Sequence, residues 1–578
     1  MNLVLQATTM DHKTNTLSPA RASASRTLAL GTIMLVGAAS GYVLTAVLLL
    51  CASSLLLRYL QEKHSHWRRM GVPSPPASLV VGHTLRRLGL SVPFMKFFDE
   101  MYYAYNGCDF CGYYDFLTPG LFVGNPELVK SILVKDFEHF SDRRTFDLGK
   151  VNPIANDMLT NATGAHWRLI RSVVSPAFTA TKTRRLLPLI RQRAAHLTRL
   201  AAEEATRGSV EARALCGRYT MDSIASCAFG IECDALSSEA ATFPKMAAKI
   251  FQLSPIRALK IVTLLVAPKL AQVVHKLGID FTSPEFHFFR HVVSHTLRMR
   301  EESGIRRGDF LDLMMETKAN GKEGLSDNTM AAQAILFLLA GYDNTANTLS
   351  LALFLLAHHP DKQATLRREI AFAKCGGELT HDQIMELPYL DAVVSETLRL
   401  YPAAPVIERI CTKNYTIGGT SVTLERGQPV IIPVWNIHRD PRYWPDPLTF
   451  RPERFVGREK ETIVPYSYLP FGQGPRSCIG LRFALLGIKV GLLHLLTSME
   501  VRESPSSIYP VPLDPKVLTL QPKDGIYVDL KPLEAGIDGT IKEEMVKYPS
   551  SSSYDQGLVR ELEMFYATEE SNSELKTS

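Results

Sequence analysis

FGQGPRSCIG, Phe471 to Gly480, decides how the rest of the chain is read. It places one cysteine in a glycine-rich turn, with an arginine two residues ahead of it. The residues that follow, Leu481 to Met499, carry apolar side chains at Phe483, Leu486, Val490, Leu493 and Leu496, the spacing of a helix with one buried face. Cys478 therefore stands at a helix start. Free backbone N–H groups and the positive end of a helix dipole favour an anion, so this position is expected to lower the thiol pKa and hold a thiolate. Glycines at 472, 474 and 480 let the backbone fold round the sulfur and donate hydrogen bonds to it. Such a setting suits a metal ligand or a nucleophile; a buried structural cysteine is the bland alternative.

With 46% hydrophobic and 21% charged residues over 578 positions, the chain can bury a large core and is not a disordered protein. Its nine cysteines are odd in number and scattered without framework spacing, which argues for a reducing compartment rather than a secreted disulfide scaffold. Residues 534–578 hold ten acidic and four basic side chains, so the net +6 of the whole resolves into +12 on the first 533 residues. That charge suits an acidic protein partner or an anionic membrane surface. Clustered Lys/Arg stripes are lacking, which excludes nucleic acid as a partner.

Residues 1–26 form a polar N-terminal extension rich in Ser, Thr and Ala. From Leu28 to Leu57 thirty residues carry no charge; at about 1.5 Å per residue they exceed the roughly 30 Å hydrocarbon core of a bilayer. Residues 27–57 are thus expected to be a transmembrane anchor, too long for a cleaved signal peptide. A basic, proline-rich linker, 58–76, follows with Arg58, Lys63, Arg68 and Arg69, and the excess of positive charge on this side places the C-terminal part in the cytosol. The main domain spans 77–533. Residues 165–410 are largely helical by pattern, "NYTIGGTSVTLERGQPVIIPV" reads as strands round a Gly418-Gly419 turn, and 534–578 reads as an acidic disordered tail. No internal repeat is visible.

The opening segment resembles the haem-binding loop of the cytochrome P-450 superfamily, whose pattern F-x-x-G-x-R-x-C-x-G is met by Phe471, Gly474, Arg476, Cys478 and Gly480. The resemblance extends in the family's order over residues 73–533. "HWRLIRS" supplies Trp167 and Arg171, "SETLRLYP" supplies Glu396 and Arg399, and "PVIERICTKNY" supplies Arg409. "DPLTFRPERF" supplies Arg454, and "NIHRDP" contains His438. It implies a mainly α fold with small β-sheets, the cytochrome P-450 fold, behind an N-terminal transmembrane helix. It also implies haem b (iron protoporphyrin IX) with Cys478 as its axial thiolate. Phe471 and Gly480 would line the cofactor, and Trp167, Arg171, Arg409 and Arg476 would reach its propionates. Glu396, Arg399 and Arg454 would form a buried structural cluster, and His438 a structural hydrogen-bonding group.

One long apolar helix contains "LLAGYDNTANT". Polar groups buried without partners cost a few kcal/mol, so Asp343, Asn344, Thr345 and Asn347 between "AILFLLA" and "LALFLLA" call for a reason. By the resemblance this helix crosses the distal haem face: Ala340 and Gly341 allow close approach to the porphyrin, and the polar cluster relays protons. The sequence departs from the pattern A/G-G-x-D/E-T-T/S, because Asn344 stands where an alcohol is usual. An amide donates hydrogen bonds but relays protons poorly, so Thr345, Asp343 or water takes over the relay, or scission of O2 is not required.

The implied function is a haem-thiolate monooxygenase on the cytosolic face of the endoplasmic reticulum membrane, anchored by a single span. It takes electrons from NADPH through a flavoprotein reductase, with a b-type cytochrome as a further partner, and inserts one oxygen atom into a lipophilic substrate. Alternatives are a peroxide isomerase needing no reductase and a non-catalytic haem sensor or carrier. A mitochondrial, ferredoxin-using relative is disfavoured by the span and by "IGLRFALLGIK", whose only basic residues are Arg482 and Lys489. Cys108 and Cys111 read as structural thiols, and 261–274 is either core helix or a surface that dips into the membrane.

Overall fold

A computed structural model describes residues 19–89, 93–144, 151–230, 242–251, 255–266, 268–304, 306–319, 326–375, 377–514 and 520–533. Most of the polar extension and the acidic tail 534–578 lie outside the described residues. Two compact units are present, 1–66 and 67–578. In the first, helix α1 (Pro19–His64) runs without a break through the uncharged stretch and beyond both of its expected bounds; the portion Tyr42–His64 is apolar and long enough to cross a membrane.

The second unit begins at Trp67, inside the expected linker, because that indole is fully buried. Its Nε1 donates to Tyr113 O at 2.9 Å, and a Cβ on Gly112 would lie 2.2 Å from the ring. Strands β1 (Phe110–Asp115), β2 (Thr118–Val123), β3 (Ile407–Ile410) and β4 (Pro429–Ile432) form a sheet in the order β1-β2-β4-β3, antiparallel except for β2 beside β4. Arg409 lies opposite Val430 in this sheet, so a strand sets its position. Cys111 is a buried free thiol on β1.

The rest is mainly helical, as the patterns predict. Helices α2 (Gly164–Val174), α3 (Ala180–Ala205), α4 (Ala212–Phe229), α5 (Asp327–His358), α6 (Pro388–Leu400) and α7 (Leu481–Ser498) frame the interior. The 32-residue α5 is the axis, packing on α4, α6 and α7. Ser326 caps it by accepting from Thr329 N at 3.0 Å. Buried side chains form two large helical clusters and a third behind the sheet. Phe483, at the start of α7, packs against both helical clusters, so the loop before it lies where they meet. Leu486, Val490, Leu493 and Leu496 are buried along α7 as their spacing requires.

Residues 261–266 and 268–274 fall in two short helices, Pro255–Val266 and Pro268–Lys276. Ile256, Leu259, Leu270, Val273 and Leu277 are exposed along and just after these helices, while Ala271 is buried with Val151 and Phe281 and Leu264 and Val274 pack against them, so the segment has an apolar surface and a small core face.

Candidate functional site

Gly472 (φ +66°) and Gly474 (φ +74°) turn the cysteine loop through the left-handed region, and a Cβ on Gly474 would sit 1.9 Å from Leu133 O. Leu469 O accepts from Gly472 N at 3.0 Å and Phe471 O accepts from Cys478 N at 2.9 Å, which closes the loop. Gly480 differs: nothing lies within 4 Å of its Cβ position, so its face borders open space.

The Cys478 side chain is accessible, yet burial is the largest influence on it and pushes its pKa up. A sulfur both accessible and crowded by protein lines an internal void. The Gly480 N–H, Arg143 and Arg171 pull the other way without prevailing. This departs from the expected lowering: the loop's donors favour the anion, but desolvation outweighs them.

Four guanidinium groups gather round the void. Burial lowers the pKa of each, to about 9 for Arg409 and Arg476, and the four act on one another through Arg143. Asp142 is the carboxylate paired with them, 3.4 Å from Arg476. Arg476 is largely committed to protein: its Nε donates to Ser141 O (2.8 Å), Nη2 to Ala162 O (2.9 Å) and Nη1 to Leu159 O (3.4 Å). Its Cζ lies 4.0 Å from the centroid of the Trp167 ring, so Trp167 braces an arginine. Arg409 is 1% exposed and its Nε has no partner, and the Nε of Arg143 is likewise unpartnered. Reasoning from sequence missed Arg143; its only signal is the pair Arg143-Arg144 after Ser141-Asp142. Buried donors left unpaired beside an excess of positive charge suit a ligand with two carboxylates. Together with a thiol aimed into the void and an open face at Gly480, they fit haem with its two propionates.

On α5, the side chains between Thr329 and Ala357 that escape burial are Leu336, Ala340, Gly341, Tyr342 and Asn344. Ala340 and Asn344 lie one turn apart and are accessible, and Asn344 Nδ2 donates to Ala340 O at 3.2 Å. The other expected relay groups point elsewhere. Asp343 is buried in an ion pair with Arg213 (2.7 Å) and accepts from Gln521 (3.2 Å). Thr345 is buried, its methyl 3.8 Å from the Cβ position of Gly487 on α7. Helical spacing accounts for this, since neighbours in sequence project about 100° apart. Gly341 also departs from expectation: its Cβ position faces Ile224 at 3.0 Å, so its smallness serves the packing of α5 on α4.

Beneath the loop, Glu396, Arg399 and Arg454 come together as expected. Glu396 accepts from Arg399 Nε (2.7 Å) and Nη2 (2.8 Å) and from Arg454 Nε (3.4 Å), and all three are at most 3% exposed.

Residues 72–528 match the family model described as cytochrome P450. The chain belongs to the cytochrome P450 family. It is 36% identical over 499 residues to probable cytochrome P450 6a13 of Drosophila melanogaster, covering 85% of this chain and all of that one. Cytochrome P450 3A11 of Mus musculus is 36% identical over 506 residues, covering 86% of this chain and 98% of its own. Cytochrome P450 6k1 of Blattella germanica is 33% identical over 501 residues, covering 82% and 94%. Like its family, this P450 is a haem-thiolate monooxygenase of the EC 1.14 class. It uses haem b, a small-molecule substrate and a redox partner that passes on the electrons of NADPH. Its α7 carries little positive charge for such a partner, because Lys489 is fully buried, donating to Met385 O and paired with Asp391 at 2.8 Å.

Proposed function

We propose that this P450 oxidises a lipophilic substrate at the cytosolic face of the endoplasmic reticulum, with electrons from NADPH through a flavoprotein reductase and a b-type cytochrome. The apolar α1 would be its anchor, and the exposed apolar side chains between Ile256 and Leu277 would rest on the same membrane. The observation that carries the reading is the Cys478 thiol in a void ringed by guanidinium groups with unpaired donors.

Cys478 would ligate the haem iron, and Arg409, Arg143 and Arg171 would hold the propionates, with Arg476 and Trp167 stiffening that wall. Bound there, haem supplies oxygen activation, helped by the electron-donating thiolate. Asn344 would hold a hydrogen bond on the distal side, its amide already anchored to Ala340 O. Protons would come through water ordered by that amide, since Thr345 is turned into the core and Asp343 is paired with Arg213. The same arrangement favours a second reading, a peroxide isomerase that needs no reductase, because the accessible face of α5 offers an amide and no alcohol.

Purified protein reconstituted with reductase in lipid is expected to consume NADPH and oxidise lipophilic probes. No probe oxidised and no NADPH used beyond background would end the monooxygenase reading, and turnover of a lipid hydroperoxide in the same preparation would establish the isomerase.

A further inference from the structure

We propose that His438 is a positioning residue for the cysteine ligand, holding the loop from Leu469 to Cys478 through a hydrogen bond accepted from the Leu469 N–H; this rests on the haem-thiolate reading. The imidazole is fully buried. Its Nε2 lies 2.8 Å from Leu469 N and its Nδ1 3.1 Å from Arg399 O. A backbone N–H can only donate and a carbonyl can only accept, so one neutral tautomer satisfies both, with the proton on Nδ1. Burial and then the Arg399 charge hold its pKa near 3, so the ring keeps this form at neutral pH.

The contacts run on in both directions. Arg399 Nη1 returns a bond to His438 O at 2.7 Å, and Arg399 is the residue clamped by Glu396. The ring stacks on Tyr468 (centroids 5.4 Å apart, planes 24°), whose hydroxyl donates to Ser395 O at 3.0 Å. On the loop side, Leu469 O accepts from Gly472 N, and Phe471 O accepts from Cys478 N. His438 is thus the side chain that ties the buried Glu396–Arg399 pair to the first residue of the cysteine turn.

The two ring nitrogens can be tested separately in full-length protein. In His438→Gln the amide oxygen reaches the Nε2 position and keeps the bond to Leu469. In His438→Asn the amide reaches the Nδ1 position, keeping Arg399 O and leaving Leu469 N unpaired. His438→Phe keeps the stacking and neither bond. The readouts are haem content and the reduced, carbon monoxide-bound spectrum, in which thiolate and thiol ligation give separate bands. Gln is expected to retain the thiolate band, while Asn and Phe shift the ratio of bands toward the thiol form by on the order of tenfold, as for one orphaned buried donor. Loss of haem from Asn and Phe but not from Gln supports the proposal equally. Equal behaviour of Gln and Asn, or loss of haem from all three, overturns it and leaves His438 a packing group. A parent protein without the thiolate band would instead remove the haem-thiolate reading itself.

Discussion

Replacing Glu396 by alanine tests the interior on which the cysteine loop rests. The carboxylate accepts from Arg399 twice, from Arg454 Nε and from Arg451 N at 2.9 Å. It is fully buried, as is Arg399, while Arg454 is 3% exposed. Its removal leaves two guanidinium charges facing each other without a counter-ion. Arg399 keeps its bonds to the carbonyls of His438 and Pro447, so the loss falls on charge compensation. Breaking a buried pair from one side costs about 3–5 kcal/mol, a large part of the roughly 5–15 kcal/mol that holds a folded protein together. Urea unfolding followed by far-ultraviolet circular dichroism should show that loss, with Glu396→Gln falling between parent and alanine because it keeps an acceptor. An alanine variant within about 1 kcal/mol of the parent, on the scale of an exposed pair, or milder than the glutamine variant, would refute the reasoning.

Three further outcomes follow from the geometry. Gly474→Ala should lose more than about 2 kcal/mol and most of its haem, because φ is +74° and the new Cβ meets a backbone oxygen; Gly480→Ala should fold like the parent, with any defect confined to haem retention, as paired unfolding and haem assays will show. Glu369 is 5% exposed, caps α6 through Tyr389 N and Leu390 N, and is pushed by burial from 4.5 to about 7. The folded state therefore keeps a proton that the unfolded state releases, so stability should decline as pH rises from about 4.5 to about 7, and Glu369→Gln should flatten that slope in melts across the range. Gly341→Ala should cost about 1–3 kcal/mol by crowding Ile224, and Ile224→Val, which removes a contacting methyl, should recover part of it in thermal melts of the double variant.

Local signals carried much of this molecule. The spacing of Phe471, Gly474, Arg476, Cys478 and Gly480 pointed to the family, because a metal-binding turn needs those residue types at fixed short intervals within one loop. Apolar periodicity gave α5 and α7, and the uncharged run gave α1, whose ends it missed since Arg, Lys and Gln continue a helix as readily as Leu. The pair Glu396 and Arg399 was legible because residues three apart on a helix share a face.

Direction and burial were decided only by the fold. No pattern says that Arg143, more than three hundred residues before Cys478, reaches its electric field, or that Arg476 spends its donors on the carbonyls of Ser141, Leu159 and Ala162. Composition could not show that Thr345 turns inward while Asn344 stays accessible, or that Gly341 makes room for Ile224. The thiol of Cys478 makes the point most plainly: the Gly480 N–H beside it and the distant Arg143 and Arg171 favour the anion, but burial, which no local pattern states, outweighs them. Sequence sets which groups the chain owns and their order along it; only packing sets how much water each one keeps, and with it the charge each one carries.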